Sequence, residues 1–385
     1  MRQLFCIFSS LRLTVLLLAC SVLLVFWGTL AQVDLGIHEV QRRFFESFTI
    51  FLPVIPWHGH WLHFPFPGGY TIGTALLINL ACAHFRYFCP SWKKIGIVLI
   101  HGGLAALIIS GFLTSLLQVE SQLWVSEGEK INYSESSRDN ELVIIDTSNP
   151  EEDTVISIPL SLIKEPGVVE HAALPFQVES LAFFPNADLG LRSQNPNTPP
   201  TLATRGAGVK MDIAVMPKPV TYKDNEPNTA TAYIKLTDAD GEMGTWLVSN
   251  MIDERFPAQT FEHGGKTYRI ALRFKRYYTP YWIELVDFNH DRYPGTNIPR
   301  NFSSQVRIVD PEASEERPVL ISMNHPLRYG GLTYYQAAFA NSDTTSILQV
   351  VKNPSWRLPY FAVLAIGLGL ITHFAIHLIT FLRKR

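Results

Sequence analysis

The sequence predicts a membrane protein of four transmembrane α-helices carrying one large extracytoplasmic β-rich domain, built as a sandwich or an open barrel. Three observations carry this. Apolar residues gather in four blocks of membrane-spanning length. Short basic flanks mark one side of the bilayer. The long segment from 119 to 357 alternates apolar with polar residues and shows no helical period of helix length.

The spans come first. Residues 11–31 (LRLTVLLLACSVLLVFWGTLA), 70–88 (YTIGTALLINLACAHFRYF), 95–117 (IGIVLIHGGLAALIISGFLTSLL) and 358–382 (LPYFAVLAIGLGLITHFAIHLITFL) are each near or above the roughly 18 to 20 residues that cross a bilayer. The first is long and no small-residue cleavage site follows it, so it is expected to stay in the membrane as a helix. Arg2 and Arg12 precede it, Arg86, Lys93 and Lys94 lie between the second and third spans, and Arg383, Lys384 and Arg385 end the chain. Cytoplasmic loops carry the excess of Lys and Arg, so both termini are expected inside. The loop 32–69 and the segment 119–357 then lie outside a bacterial inner (cytoplasmic) membrane, with Arg42 and Arg43 as exceptions to the charge bias. The chain divides into three helices within 1–118, a β-rich domain over 119–357, and a fourth helix with a basic tail over 358–385.

Within 119–357 the runs FQVESLAFFP, VKMDIAVMP, ATAYIKLTDADGEMGTWLVS, KTYRIALRFKRYYTPYWIELVDF and LTYYQAAFA are short, rich in β-branched and aromatic residues, and divided by Gly, Pro, Asn and Asp. This is the texture of antiparallel sheet. DADGE (238–242) is the clearest hairpin turn, because Asp-Gly supplies the positive φ a tight connection needs. SQNPNTPPTLATRGAG (193–208) reads as a long surface loop. No internal repeat is apparent.

The four cysteines, Cys6, Cys20, Cys82 and Cys89, fall in spans or on the cytoplasmic side. The exported segment has none, so it can hold no disulfide and perform no thiol exchange. A net charge of −2 says little about partners, and no nucleic-acid partner is expected. The exported segment lacks GxSxG, HExxH and P-loop patterns, which leaves no visible hydrolase or nucleotide site.

Histidines are the unusual residues. At 1.5 Å per residue, His84 lies roughly 6 Å, His101 roughly 9 Å, His377 roughly 7 Å and His373 roughly 13 Å from the cytoplasmic ends of their spans. None of the four spans contains an Asp or Glu to pair with them. An ionisable group at that depth costs a few kcal/mol unless compensated. Each single imidazole is explained as often by helix packing as by ligation. As a group they suggest a metal ligand set, and haem is the large apolar cofactor that takes axial imidazoles. Zinc is less attractive without an accompanying thiolate or carboxylate at strong spacing, and proton relays usually include acidic residues. Gly102, Ala106 and Ser110 form a small-residue stripe that would admit a neighbouring helix.

Outside the spans, PWHGHWLHFPFPGG (56–69) places His58, His60 and His63 among Trp57, Trp61, Phe64 and Phe66. An aromatic belt at the lipid surface and a metal site both fit, the belt better. In ISMNHPLRYGGLTYYQAAF (321–339), Asn324-His325-Pro326 reads as a turn and Gly330-Gly331 as a second reversal. A structural hairpin whose His325 bonds backbone is the plain reading.

Several of these segments, YTIGTALLINLACAHFRYF, LTSLLQVESQLWVSEGEKINYSESSRDNELVIID, RYPGTNIPRNFSSQVRIVD and MNHPLRYGGLTYYQAAF, in this order, resemble the ResB family, also called CcsB, of System II cytochrome c biogenesis. The resemblance implies four spans with one large domain after the third. It implies association with a polytopic haem-handling membrane protein of the CcsA or ResC type, haem b as transiently bound cargo, and apocytochrome c as recipient. It also implies that a second-span histidine, matched by His84, is an axial haem ligand near the cytoplasmic leaflet, and that the histidine of the NHPL-type segment, matched by His325, bears on function. His101, His373 and His377 are not matched and stay as candidates from their depth alone. The eight tryptophans are scattered, with no Trp-rich haem motif, so the chain is expected to be one subunit of a haem-attachment complex, not catalytic alone, with thiol reduction supplied by another protein. A scaffold or apocytochrome chaperone that binds no haem is the alternative.

Overall fold

Uninterrupted runs of Leu, Ile, Val and Ala satisfy their backbone internally as helix, and helices form where those runs lie. The computed structural model describes residues 2–57, 60–87, 91–223, 227–296, 299–340 and 344–383. His58, Cys89, Lys384 and Arg385 lie outside the described residues, as does the side chain of His60. A short helix α1 (Arg2–Phe8) precedes α2 (Leu11–Leu35), which Ser10 caps by accepting from the Arg12 N–H at 3.2 Å. The second helix runs past the expected end at 31 and takes in Asp34. A one-turn helix α3 (Ile37–Val40) and a π turn over Gln41–Phe45 follow. The expected loop then forms a hairpin, β1 (Thr49–Trp57) against β2 (His60–Pro67), with Pro53 opposite His63. Prolines suit this pair because its outer edges donate to no further strand.

Helices α4 (Gly69–Tyr87) and α5 (Ile95–Leu117) complete the first part. Among the described residues, Leu11–Leu35, Trp92–Leu117 and Leu358–Leu382 are long and apolar enough to cross a membrane. Helix α4 occupies the place expected of the second span, yet it is less apolar, carrying Asn79, His84 and Arg86, and is not among those three.

The β-rich part begins with β3 (Val119–Ser126), β4 (Lys130–Asp146), β5 (Thr154–Pro159), β6 (Gly167–Val169), β7 (Gln177–Phe184), β8 (Ala187–Leu191) and β9 (Ile213–Pro217), with a single-turn α6 (Ala207–Lys210) before β9. It continues through β10 (Thr231–Asp238), β11 (Gly241–Ser249), α7 (Asn250–Arg255), β12 (Gln259–His263), β13 (Lys266–Arg292), β14 (Pro299–Asp310), β15 (Glu315–Ser322), β16 (Leu327–Tyr329), β17 (Leu332–Ala340) and β18 (Thr345–Lys352), and the chain ends in α8 (Leu358–Leu382).

Two long strands serve two cores. The first half of β13 pairs with the second half of β4, flanked by β5 and β12, and this layer packs on the sheet β11-β10-β7-β6. Leu142, Ile158, Ile234, Trp246 and Leu272 fill the space between. That lobe is a sandwich. The second half of β13 joins β14 and β15 on one side, while β4 leads through β3 to β18, β17 and β16 on the other. Leu123, Ile283, Val306, Tyr334 and Leu348 share one interior. The curl brings β16 back beside β15, and in the turn that links them Ser322 and His325 exchange backbone hydrogen bonds of 3.3 and 3.0 Å. This lobe is a nearly closed barrel. Register shifts between Phe274 and Arg276 and between Tyr278 and Ile283 mark where β13 passes from one lobe to the other.

The turns obey their chemistry. Asp238 accepts from the N–H groups of Asp240 and Gly241 at 2.9 and 3.0 Å, closing the β10–β11 hairpin at DADGE. Gly330 and Gly331, both at positive φ, make the two-residue reversal between β16 and β17. The segment 193–208 is irregular but held: Arg192 donates to the Thr198 carbonyl and hydroxyl, both at 3.2 Å.

Candidate functional site

Antiparallel helices set which histidines can meet. The hydroxyl of Tyr70 lies 2.8 Å from that of Ser115, and a Cβ on Gly73 would touch Ile108, so α4 descends beside α5 away from the β-rich part. His84 and His101 therefore arrive near the end of the pair far from that part, offset by about one turn, roughly 6 Å along the axes. Both imidazoles are half-buried.

The other side of α5 packs on α8. A Cβ added to Gly103 would stand 2.8 Å from the Ala362 carbonyl, and one on Gly96 would stand 2.7 Å from the Gly369 carbonyl and the His373 amide. Gly96, Gly103 and Ser110 are the buried residues of α5, seven apart. Gly102 has open space around its Cβ position. The expected stripe of Gly102, Ala106 and Ser110 is thus corrected by one residue at its start: Gly103, not Gly102, is the small residue at the contact. Since 100° separates successive helical residues, His101 sits roughly 160° from Gly103, turned from α8 toward α4.

Four histidines thus form two pairs. His373 and His377 stack on α8 with ring centroids 4.5 Å apart. His373 Nδ1 is buried without a hydrogen-bond partner among the described residues, while His377 is exposed. His325 joins neither pair. It is exposed on the turn between β15 and β16, its Nδ1 3.4 Å from the Met323 carbonyl, with Asn324 at φ 65 supplying the reversal. The backbone-bonding hairpin expected for this histidine is what forms.

Residues that sequence reasoning passed over hold His84's helix end. Asn79, buried within α4, donates to the carbonyls of Phe8 and Ser10 at 2.7 and 3.2 Å, and its own oxygen accepts from Thr14 at 2.7 Å. Arg86 donates to the Ser9 hydroxyl at 2.7 Å. The elbow between α1 and α2 is therefore pinned to α4 on either side of His84. The signal was there: an amide in an apolar run must find partners. At the opposite end, the fully buried Glu39 accepts from Arg42 at 2.8 and 2.9 Å and pairs with Arg43. This accounts for the two arginines that ran against the charge bias, since their charge is shared with an internal carboxylate. Arg42 holds the Glu39 carboxyl below the usual carboxylate range, with burial opposing.

Among the described residues no group of three or more His, Cys, Asp or Glu side chains is gathered to hold a metal ion. A pair of imidazoles without acidic neighbours is instead the donor set that suits haem iron, which needs one or two axial ligands and tolerates an apolar surround. The residues of the His84 and His101 pair fit that group.

Residues 244–355 match the ResB-like family model. That segment runs from within β11 into the linker that precedes α8; it includes His325 and excludes His84, His101, His373 and His377. Protein NrfI of Wolinella succinogenes is 30% identical over 92 residues, 24% of this chain and 10% of that protein. The cytochrome c biogenesis protein CcsB of Prochlorococcus marinus (strain MIT 9313) and that of Synechococcus sp. (strain RCC307) are each 35% identical over 77 residues, 20% of this chain and 17% of the relative. The matched stretch thus spans less than a fifth of these relatives' length.

Proposed function

We propose, from the premise that this chain is ResB-like over residues 244–355, that it acts in cytochrome c biogenesis as a membrane subunit that carries haem for attachment to apocytochrome c. The observation that carries the haem part is that His84 and His101 sit at the same end of the neighbouring helices α4 and α5. In this reading α4 crosses as a fourth span, both termini are cytoplasmic, and the β-rich part faces the other side of the inner membrane.

Haem supplies the iron that an imidazole can ligate. His84 offers one nitrogen from a helix end whose position Asn79 and Arg86 fix, so little ordering is left for the binding step. His101 would either join His84 in holding the iron or hydrogen-bond and orient His84, with a histidine of a CcsA- or ResC-type partner as a further ligand. The β-rich part, free of cysteines, would present apocytochrome without competing for its thiols, whose reduction falls to another protein.

The match of the family model to the β-rich part alone favours, as second reading, a scaffold for apocytochrome whose histidines only pack helices. Complementation separates the two. In a bacterium that depends on this chain for c-type cytochromes, His84→Ala at normal chain abundance should lower haem-stained cytochrome c by about tenfold or more. Unchanged cytochrome content would remove His84 from the pathway and leave the scaffold.

A further inference from the structure

Two guanidiniums meet one indole where α8 begins. The guanidinium carbon of Arg328, on β16, lies 3.8 Å from the centre of the Trp356 ring, and that of Arg357 lies 5.0 Å from it. A guanidinium held over an aromatic ring uses its flat face and keeps its N–H groups, which point outward in the plane, for another acceptor. No such acceptor is supplied by the protein: among the described residues neither arginine hydrogen-bonds or pairs with a carboxylate. Both are exposed.

The neighbouring acids are engaged elsewhere. Arg328 stands opposite Thr333, which stands opposite Val351, and the carboxylate in that row, Glu120, lies three strands away, roughly 14 Å. Glu120 accepts from Gln118 and Gln349. Asp310 and Glu315 accept from the hydroxyl of Tyr329 at 2.7 and 3.0 Å, and Glu315 also pairs with Arg317. Meanwhile the linker carrying Trp356 is tied to the end of α5, where Asn353 donates to Gln118 at 3.2 Å and to Thr114 at 3.4 Å. The Asn353 oxygen accepts from the Ser355 N–H and hydroxyl at 2.9 and 2.8 Å. Two like charges are thus gathered at a ring whose place is fixed, and an anion between them would offset their repulsion.

Their level in the molecule names the anion. Trp356 packs edge to face with Tyr360 at 6.1 Å, and Tyr360, Phe361 and Leu364 are exposed on a helix apolar enough to cross a membrane. An aromatic pair at the head of such a helix sits among lipid headgroups. We infer that Arg328, Arg357 and Trp356 form a site for the phosphate of an anionic phospholipid, whose acyl chains run down α8 past Tyr360 and Leu364. The lipid would clamp strand β16 of the barrel to the head of α8. This site uses none of the histidines of the haem reading and does not depend on it.

The test is native mass spectrometry of the full chain in detergent, titrated with dioleoyl phosphatidylglycerol or dioleoyl phosphatidylcholine. The variants are Arg328→Gln and Arg357→Gln, singly and together, Arg328→Lys, and Arg383→Gln in the basic tail. Wild type should retain one tight phosphatidylglycerol and bind phosphatidylcholine more weakly. The double variant should lose affinity for that lipid by about tenfold or more, and each single variant by less. Arg328→Lys, which keeps the charge but not the fork, should fall between wild type and Arg328→Gln. Arg383→Gln should bind as wild type does. An unchanged melting temperature without lipid reports that a variant is folded, and the single variants carry the comparison if the double variant is not. Phosphatidylglycerol binding that survives in the folded arginine variants overturns the inference, as does its loss in Arg383→Gln, which would move the site to the tail. Equal binding of both lipids would assign the contact to acyl chains and overturn it too. Displacement of the lipid by millimolar inorganic phosphate would make this a site for free anions and likewise overturn it.

Discussion

Gly96 of α5 lies against His373 of α8 so closely that a Cβ on the glycine would stand 2.8 Å from the Cβ of the histidine. The contact joins the small-residue seam of α5 to the second histidine pair, and fixes which way His373 and His377 face.

Enlarging Gly96 should therefore separate the helices. Gly96→Leu meets backbone of Gly369 and His373, which cannot yield as a flexible side-chain end could, so a loss of about 1–3 kcal/mol is expected. Gly102→Ala meets nothing within 4 Å and should be close to neutral. Thermal unfolding of the two variants in detergent checks the difference, and equal losses would refute the corrected seam.

The amide of Asn79 organises the elbow between α1 and α2. Asn79→Leu keeps the volume but removes the bonds to the carbonyls of Phe8 and Ser10 and the one from the hydroxyl of Thr14, at a cost of about 1–3 kcal/mol. Protease cleavage near residues 8–10 should accelerate in this variant, whereas Thr14→Val, which removes one bond of the three, should show a smaller change.

Glu39 gives a pH signature. Its folded value is depressed, chiefly by the Arg42 hydrogen bonds, so the stability it brings is fully present above the ordinary carboxylate value of about 4 and is lost as pH falls through the lowered folded value. The melting temperature of wild type should drop over that acid range. In Glu39→Gln, already less stable at neutral pH, that part of the drop should be missing. Identical pH curves would show that the pair with Arg42 and Arg43 carries no stability.

Much of this architecture was legible in residues. The Asp238 turn and the Gly330-Gly331 reversal appear where their φ requirements demanded, and the apolar blocks became helices. What sequence could not show was direction around an axis. A four-residue spacing from Gly102 and a seven-residue spacing from Gly103 both end at Ser110, and only packing on α8 distinguishes them. The depth of the histidines was readable from 1.5 Å per residue, but not that His101 turns to α4 while His373 faces α5. Nor was the choice between sandwich and barrel readable, because β4 and β13, at 17 and 27 residues, exceed ordinary strand lengths and serve both.

The central claim is that His84 ligates haem iron, and it is tested most directly by the visible spectrum of the purified full chain loaded with haem. The account predicts that His84→Gly loses the imidazole-ligated spectrum and that free imidazole restores it, since the glycine leaves room for the missing ligand. A spectrum in His84→Gly identical to wild type, with no response to imidazole, would contradict it.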